Sequence, residues 1–421
     1  MSRRREKGKM GIALAGGGPL GAIYEIGALV ALEEAVVGLE LAKLDIYVGV
    51  SSGAFVAAGL ANGFGPREMH AMFIEDASHH DPFEPELLMR PAFGEFVRRL
   101  ARLPELFQNA ALAYFGQAPG RGFFESFLRL TRGLPTGLFD NAPMADYLAR
   151  LFEQPGRTND FRALERRLFV VATDLDTGRS VAFGEPGHDD TPISEAVKAS
   201  AALPGLYPPA RIHGRDYVDG ALRKTLHASV ALRAGAKLLI CVNPVVPFDA
   251  ELAAKADNSE PIRLADRGLA TVLSQTFRSI IASRMQVGMA RYAKEFPDAD
   301  VVLFEPARDD AVIFFANMFS YADRKRLADH AYRRTRAELL RRADELEPIL
   351  KRHGLALDRA SLADRDRGIE AGRASRKGAL WASVEPLNSA LGALETALGG
   401  GTARRRRRGQ RHASEAAQKD A

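Results

Sequence analysis

The stretch Gly49-Val50-Ser51-Ser52-Gly53 constrains this chain more than any other. The apolar run Ile46-Tyr47-Val48-Gly49-Val50 leads into it and reads as a short buried strand. Ala54-Phe55-Val56-Ala57-Ala58-Gly59-Leu60 follows and reads as a helix of small and apolar residues. A serine at the apex of a strand–turn–helix stands above a helix N-terminus. The free N–H groups and partial positive charge there suit an oxyanion. Ser51 is the central serine and the expected nucleophile. Ser52 reads as a first-turn helix residue. Gly49 and Gly53 supply backbone freedom that a Cβ would obstruct. Gly and Ser are common in ordinary turns, so the pentapeptide gains weight only from its surroundings.

Upstream, Gly11-Ile12-Ala13-Leu14-Ala15 reads as a strand and Gly16-Gly17-Gly18-Pro19-Leu20-Gly21 as a glycine loop. Pro19 suits the first turn of a helix, expected over residues 22–37. Strand, helix and elbow strand form a βαβ unit, whose right-handed crossover makes the strands parallel. The glycine loop and the serine turn then share the C-terminal edge of the sheet, where such sheets bind ligands. Gly16, Gly17 and Gly18 there offer backbone N–H groups.

The chain has 421 residues and a formal charge of +5, enough for one large domain or two ordinary ones. The charge is concentrated at the ends, in Arg3, Arg4, Arg5, Lys7 and Lys9 and in the run Arg404 to Arg408. The interior is close to neutral, so nucleic-acid binding by the core is not expected. The single cysteine, Cys241, lies in an apolar run and reads as a buried strand residue, not a metal ligand. No apolar h-region or membrane span is read.

Residues 64–150 read as helical, with amphipathic patterns at Phe93 to Phe107 and Phe123 to Leu130. These either pack on the sheet or form a lid or acyl channel over the serine. His79 and His80 read as surface residues. Strands are expected at 168–172, 237–242 and 301–304, with a return at 180–183 after Asp176-Thr177-Gly178. Helices are expected at 193–202, 262–294 and 321–352. Asp174 reads as a turn cap. Asp219-Gly220 alone is an ordinary turn signal. His227 reads as part of the helix that follows.

Together these residues resemble the patatin-like phospholipases. Four blocks occur in that family's order. They are Gly16-Gly17-Gly18, Gly49-Val50-Ser51-Ser52-Gly53, the stretch Ala199-Ser200-Ala201-Ala202-Leu203-Pro204-Gly205-Leu206-Tyr207-Pro208-Pro209, and Asp219-Gly220-Ala221. The resemblance covers about residues 10–245. It implies an α/β fold, a three-layer α/β/α core with a mostly parallel central sheet and helical insertions. It also implies hydrolysis of acyl esters of lipids or phospholipids, with no cofactor and no metal. Gly16, Gly17 and Gly18, with the N–H after Ser51, would form the oxyanion hole, and Asp219 would activate Ser51 directly as a dyad. At one place the chain departs: the family often has a basic residue where this chain has Leu20. A cationic contribution beside the oxyanion hole is then absent or supplied elsewhere.

Three other readings stay open. Gly16, Gly18 and Gly21 satisfy a dinucleotide-binding fingerprint, but the second strand ends in Val50-Ser51 without the acidic residue that fingerprint wants. A Ser-His-Asp hydrolase places its elbow after several strands, and here it follows the second. A non-catalytic lipid-binding protein could keep the same fold.

The expected organisation is a basic arm at 1–9, a catalytic domain at 10–355 and a linker with a flexible basic tail at 356–421. Within the tail, Trp381 to Leu398 has helical apolar spacing beside Arg404 to Arg408. Residues 381–408 therefore either touch an anionic membrane surface or dock a helix on the core with the arginines as a solvated tail. The chain is expected to be cytoplasmic, peripheral on the inner face of the membrane.

Overall fold

Apolar side chains that alternate along the strands sort the sheet into two buried faces. Ile12 and Leu14 of β1 (Lys9–Leu14), Tyr47 of β3 (Ile46–Val50), Leu168 and Val170 of β4 (Arg167–Asp174), and Leu238 and Ile240 of β8 (Ala236–Val242) join one cluster. Ala13, Ile46, Val48, Phe169, Val171, Leu239 and Cys241 join the other. The computed structural model describes residues 8–75, 90–92, 136–316 and 321–371.

Between β1 and β3 run α1 (Gly18–Ala35) and the short β2 (Val36–Val37). Helices α2 (Ser52–Ala61), α3 (Pro66–Phe73) and α4 (Ala142–Phe152) follow β3. After β4 come β5 (Ser180–Phe183), α5 (Ile193–Ser200), β6 (Ala210–Ile212) and β7 (Arg215–Asp219). α6 (Ala228–Arg233) precedes β8. Then follow α7 (Ala250–Asp257), α8 (Leu269–Glu295), β9 (Asp300–Phe304), α9 (Ala311–Phe314), α10 (Tyr321–Arg341) and α11 (Ala343–Arg352).

The eight-stranded sheet has the order β6-β7-β4-β3-β1-β8-β9, with β5 also on β4. Its middle strands β4, β3, β1, β8 and β9 are parallel, as the βαβ reading requires. β5 and β7 each pair antiparallel with β4, and β6 pairs antiparallel with β7. Helices α1, α2, α5 and α10 cover the first face, and α6 with Met285 and Tyr292 of α8 covers the second. The fold is therefore the expected three-layer α/β/α core with a mostly parallel sheet.

Three differences from the sequence reading have local causes. α8 starts at Leu269 because Gly268, at φ 85°, ends a preceding 3-10 turn. The β6–β7 hairpin was not anticipated; it turns on His213 and Gly214 at φ 47° and 79°, a two-residue turn without the usual Asn-Gly signal. Residues 356–363, expected within a linker, form two further elements. β10 (Ala356–Leu357) pairs with β2, α12 (Arg359–Ala363) buries Leu362, and the first compact unit runs from Met1 to Asp366. A few apolar residues among many charges hid that segment. The second unit, Arg367–Ala421, is described only over residues 367–371. The amphipathic patterns at 93–107 and 123–130, His79, His80 and the segment 381–408 lie outside the described residues.

Candidate active site

Strand register brings Ser51 and Asp219 together. β4 has two edges, and β5 occupies one of them along Val170 to Thr173. β3 and β7 therefore share the other. β3 takes Arg167 to Val171, ending with Val50 opposite Val171. β7 takes the next positions, with Asp219 opposite Ala172. The residue that leaves β3 and the residue that ends β7 thus meet over consecutive residues of β4.

Ser51 itself is held at φ 54°, ψ −123°, a combination that non-glycine residues rarely adopt. Such strain at a strand–helix junction is the signature of a nucleophile elbow. Both elbow glycines are required by close approach. A Cβ on Gly49 would lie 2.4 Å from the Ala54 Cα, and one on Gly53 would lie 2.5 Å from the Leu14 carbonyl oxygen. The Ser51 N–H donates to Ser200 Oγ at 2.8 Å, and Ser200 Oγ donates to the Val171 carbonyl at 2.6 Å. α5 is thereby pinned to the elbow. Ser200 lies in one of the motif blocks, yet its role was not legible because its partner stands 149 residues away.

The glycine loop closes over the same point. A Cβ on Gly16 would stand 3.0 Å from the Ser51 Cβ and 3.2 Å from the Ala221 Cβ. The three motifs therefore converge at Gly16. Two of the three glycine N–H groups are already engaged within the chain. Gly16 N–H reaches the Thr225 carbonyl at 3.4 Å, and Gly17 N–H donates to Ser52 Oγ at 2.9 Å. Ser52, expected as a plain helix residue, is thus the brace between elbow and glycine loop. The hydrogen bonds among the described residues leave the Gly18 and Ser52 N–H groups unused. Gly18 sits at φ 63° at the start of α1, and Ser52 opens α2. Both are helix N-terminal donors of the kind that attract an anion. Leu20 is partly buried against the core.

Asp219 is buried at the end of β7 and accepts the Ala221 N–H at 2.8 Å. Burial raises its pKa to about 6, against the opposing pull of the Ala221 N–H and a hydrogen bond from the Ser51 side chain. A Cβ on Gly220 would sit 2.2 Å from the Val171 carbonyl, so the turn after Asp219 can lie flat on β4. His227 is buried and its ring faces the backbone just after Asp219. It caps α6 in the left-handed region, its Nε2 stands 3.4 Å from the Gly220 carbonyl, and burial lowers its pKa to about 4. Asp174 is a turn cap, as expected: it accepts from Thr177 N–H at 2.9 Å and from Arg215 at 3.0 Å. Among the described residues no group of three or more His, Cys, Asp or Glu side chains could hold a metal ion.

A strained serine thus stands against a buried carboxylate on a mostly parallel α/β/α sheet. A model of the family described as patatin-like phospholipase matches residues 12–232, just over half of the chain. The chain belongs to the patatin-like phospholipase family.

Solved structures are similar at low identity. VipD from Legionella pneumophila is 19% identical, with 59% of this chain and 52% of that one covered and a TM-score of 0.32. The type III effector protein ExoU is 15% identical, with 80% and 53% covered and a TM-score of 0.34. Human GIVD cytosolic phospholipase A2, solved with methyl gamma-linolenyl fluorophosphonate, is 15% identical, with 61% and 45% covered and a TM-score of 0.26. The chain spans about half the length of these proteins.

Proposed function

We propose that the chain is a serine acyl hydrolase that cleaves fatty-acyl ester bonds of phospholipids or related lipids through Ser51 and Asp219. The observation that carries this reading is the register of β3 and β7 on β4, which sets the strained Ser51 beside the buried Asp219.

In the proposed reaction Ser51 Oγ attacks the ester carbonyl carbon and its proton passes to the Asp219 carboxylate. The carbonyl oxygen becomes an oxyanion and accepts from the Gly18 and Ser52 N–H groups. Gly16 and Gly17 give the loop its shape and leave room for the oxyanion. Collapse breaks the ester C–O bond, and the leaving alkoxide takes the proton from Asp219. Water then attacks the acyl-serine, again giving a proton to Asp219, and the fatty acid departs as Ser51 is restored. A carboxylate is a weak base, and burial raises its basicity toward the working pH. The chemistry proposed needs no metal.

The test is turnover of p-nitrophenyl butyrate and of a phospholipid by the full chain and by Ser51→Ala and Asp219→Asn. Each substitution should reduce kcat by roughly a thousandfold or more. Turnover by Ser51→Ala at the unsubstituted rate would overturn the assignment.

A further inference from the structure

The helix α8 has two unlike halves. Its C-terminal half is seated on the sheet through Met285 and Tyr292. Its N-terminal half presents apolar side chains outward: Leu269 is 74% exposed, Leu273 47% and Phe277 54%, with Val272 and Ile280 beside them. Val287 continues that row and is exposed as well. From Leu269 to Ser283 the only charged residue is Arg278, and it is turned inward. Its guanidinium donates to the Val246 carbonyl at 3.1 Å and lies over the Phe314 ring. The outer face of this half therefore carries no charge.

Two of its exposed hydroxyls bond the helix's own backbone. Thr276 Oγ1 donates to the Val272 carbonyl at 2.8 Å, and Ser279 Oγ donates to the Gln275 carbonyl at 2.9 Å. A helix that satisfies its own polar side chains can enter an apolar medium without leaving a donor unpaired. Unpaired with any carboxylate of the helix's own flanks, Arg267 stands before the patch and Arg284 and Lys294 after it. The acidic residues in those flanks are engaged nearby, Asp266 with Arg263 and Glu295 with Arg291. No helix among the described residues is long and apolar enough to cross a membrane. An uncharged apolar face between cationic ends instead suits a helix lying in an interface.

The same helix is tied to both walls of the site. Gln275 makes paired bonds with Phe248, 3.0 Å from the Phe248 N–H and 2.7 Å to its carbonyl. That loop includes Pro244 and Val245, the atoms a Cβ on Gly17 would meet. Arg284 donates to the Leu222 carbonyl at 2.8 Å, in the turn that follows Asp219.

We infer that the outer face of α8, from Leu269 to Ile280, docks on an anionic lipid surface and holds the site against it. The benefit to turnover rests on the acyl-hydrolase reading; the docking does not.

The test is co-sedimentation of the full chain with vesicles of equal phosphatidylcholine and phosphatidylglycerol, at about 0.1 M and 0.5 M salt. At the higher salt the electrostatic share of binding, from any basic segment, is screened and the apolar share remains. Leu273→Gln with Phe277→Gln should weaken vesicle binding about tenfold or more at both salts and reduce vesicle-phospholipid turnover in step. Hydrolysis of the soluble ester should be unchanged. Leu269→Gln with Ile280→Gln, built separately, should do the same. Ser51→Ala should bind vesicles normally, so loss of chemistry and loss of docking are told apart. Unchanged sedimentation of both pairs would overturn the inference. So would a change confined to self-association, measured by light scattering, which would make the occupant a second copy. A matching loss of soluble-ester turnover would also overturn it, because the face would then belong to the core.

Discussion

The N–H of Ser51 hangs from the hydroxyl of Ser200 at 2.8 Å, and Ser200 is itself anchored on the Val171 carbonyl of β4. The strained backbone of the elbow is thus over-determined from outside its own turn, as such strain requires. Ser200→Ala leaves a buried N–H without its acceptor. Stability should fall by about 1–3 kcal/mol. Soluble-ester kcat should fall by about tenfold as the elbow relaxes. Urea unfolding and ester kinetics on the same variant check this; wild-type values for both would show that Ser200 does not hold the elbow.

Asp219 and His227 separate in a pH profile. In the proposed reaction Asp219 must be ionised to accept the Ser51 proton, and its pKa is raised to about 6. The soluble-ester kcat/KM should therefore rise with pH through a single limb near 6. Burial holds His227 near pKa 4, so it is neutral across that range. His227→Gln should leave the limb where it is and cost less than about tenfold, since the ring only steadies the Gly220 carbonyl. A limb that moves or disappears in His227→Gln would make histidine the base.

The same burial makes Asp219 a stability cost. Its folded pKa stands above the unfolded value, from 3.8 to about 6, so the folded state binds the proton more tightly. Stability is then lost as pH rises through that window and stays lost above it. Asp219→Asn keeps an acceptor for the Ala221 N–H and removes the charge. It should be more stable than the parent by about 1–3 kcal/mol at pH 8, with the gap closing toward pH 4. Denaturant melts at the two pH values decide it, and an Asn variant less stable at pH 8 would contradict the account.

The elbow was legible because its signal is local: an apolar strand, two glycines that exclude a Cβ, and a small-residue helix lie within residues 46–61. The parallel centre of the sheet followed from the same βαβ unit. The resemblance paired Asp219 with Ser51, but the register behind that pairing was not legible, since it depends on how β5 and β7 divide the two edges of β4. Likewise, Ser52 gave no sign that it would take the Gly17 N–H and so reduce the glycine donors. The unlike halves of α8 escaped notice because Leu269 to Ile280 are as apolar as a buried helix, and only packing tells exposed from buried.

The central claim is that Ser51 is the reactive serine. A fluorophosphonate probe reacts with an activated serine and stays attached, so intact mass and peptide mapping report both number and place. The account predicts one adduct, on the peptide bearing Ser51, formed faster as pH rises through about 6 and absent from Ser51→Ala. An adduct that persists in Ser51→Ala, or one mapped to another serine at a comparable rate, would contradict it.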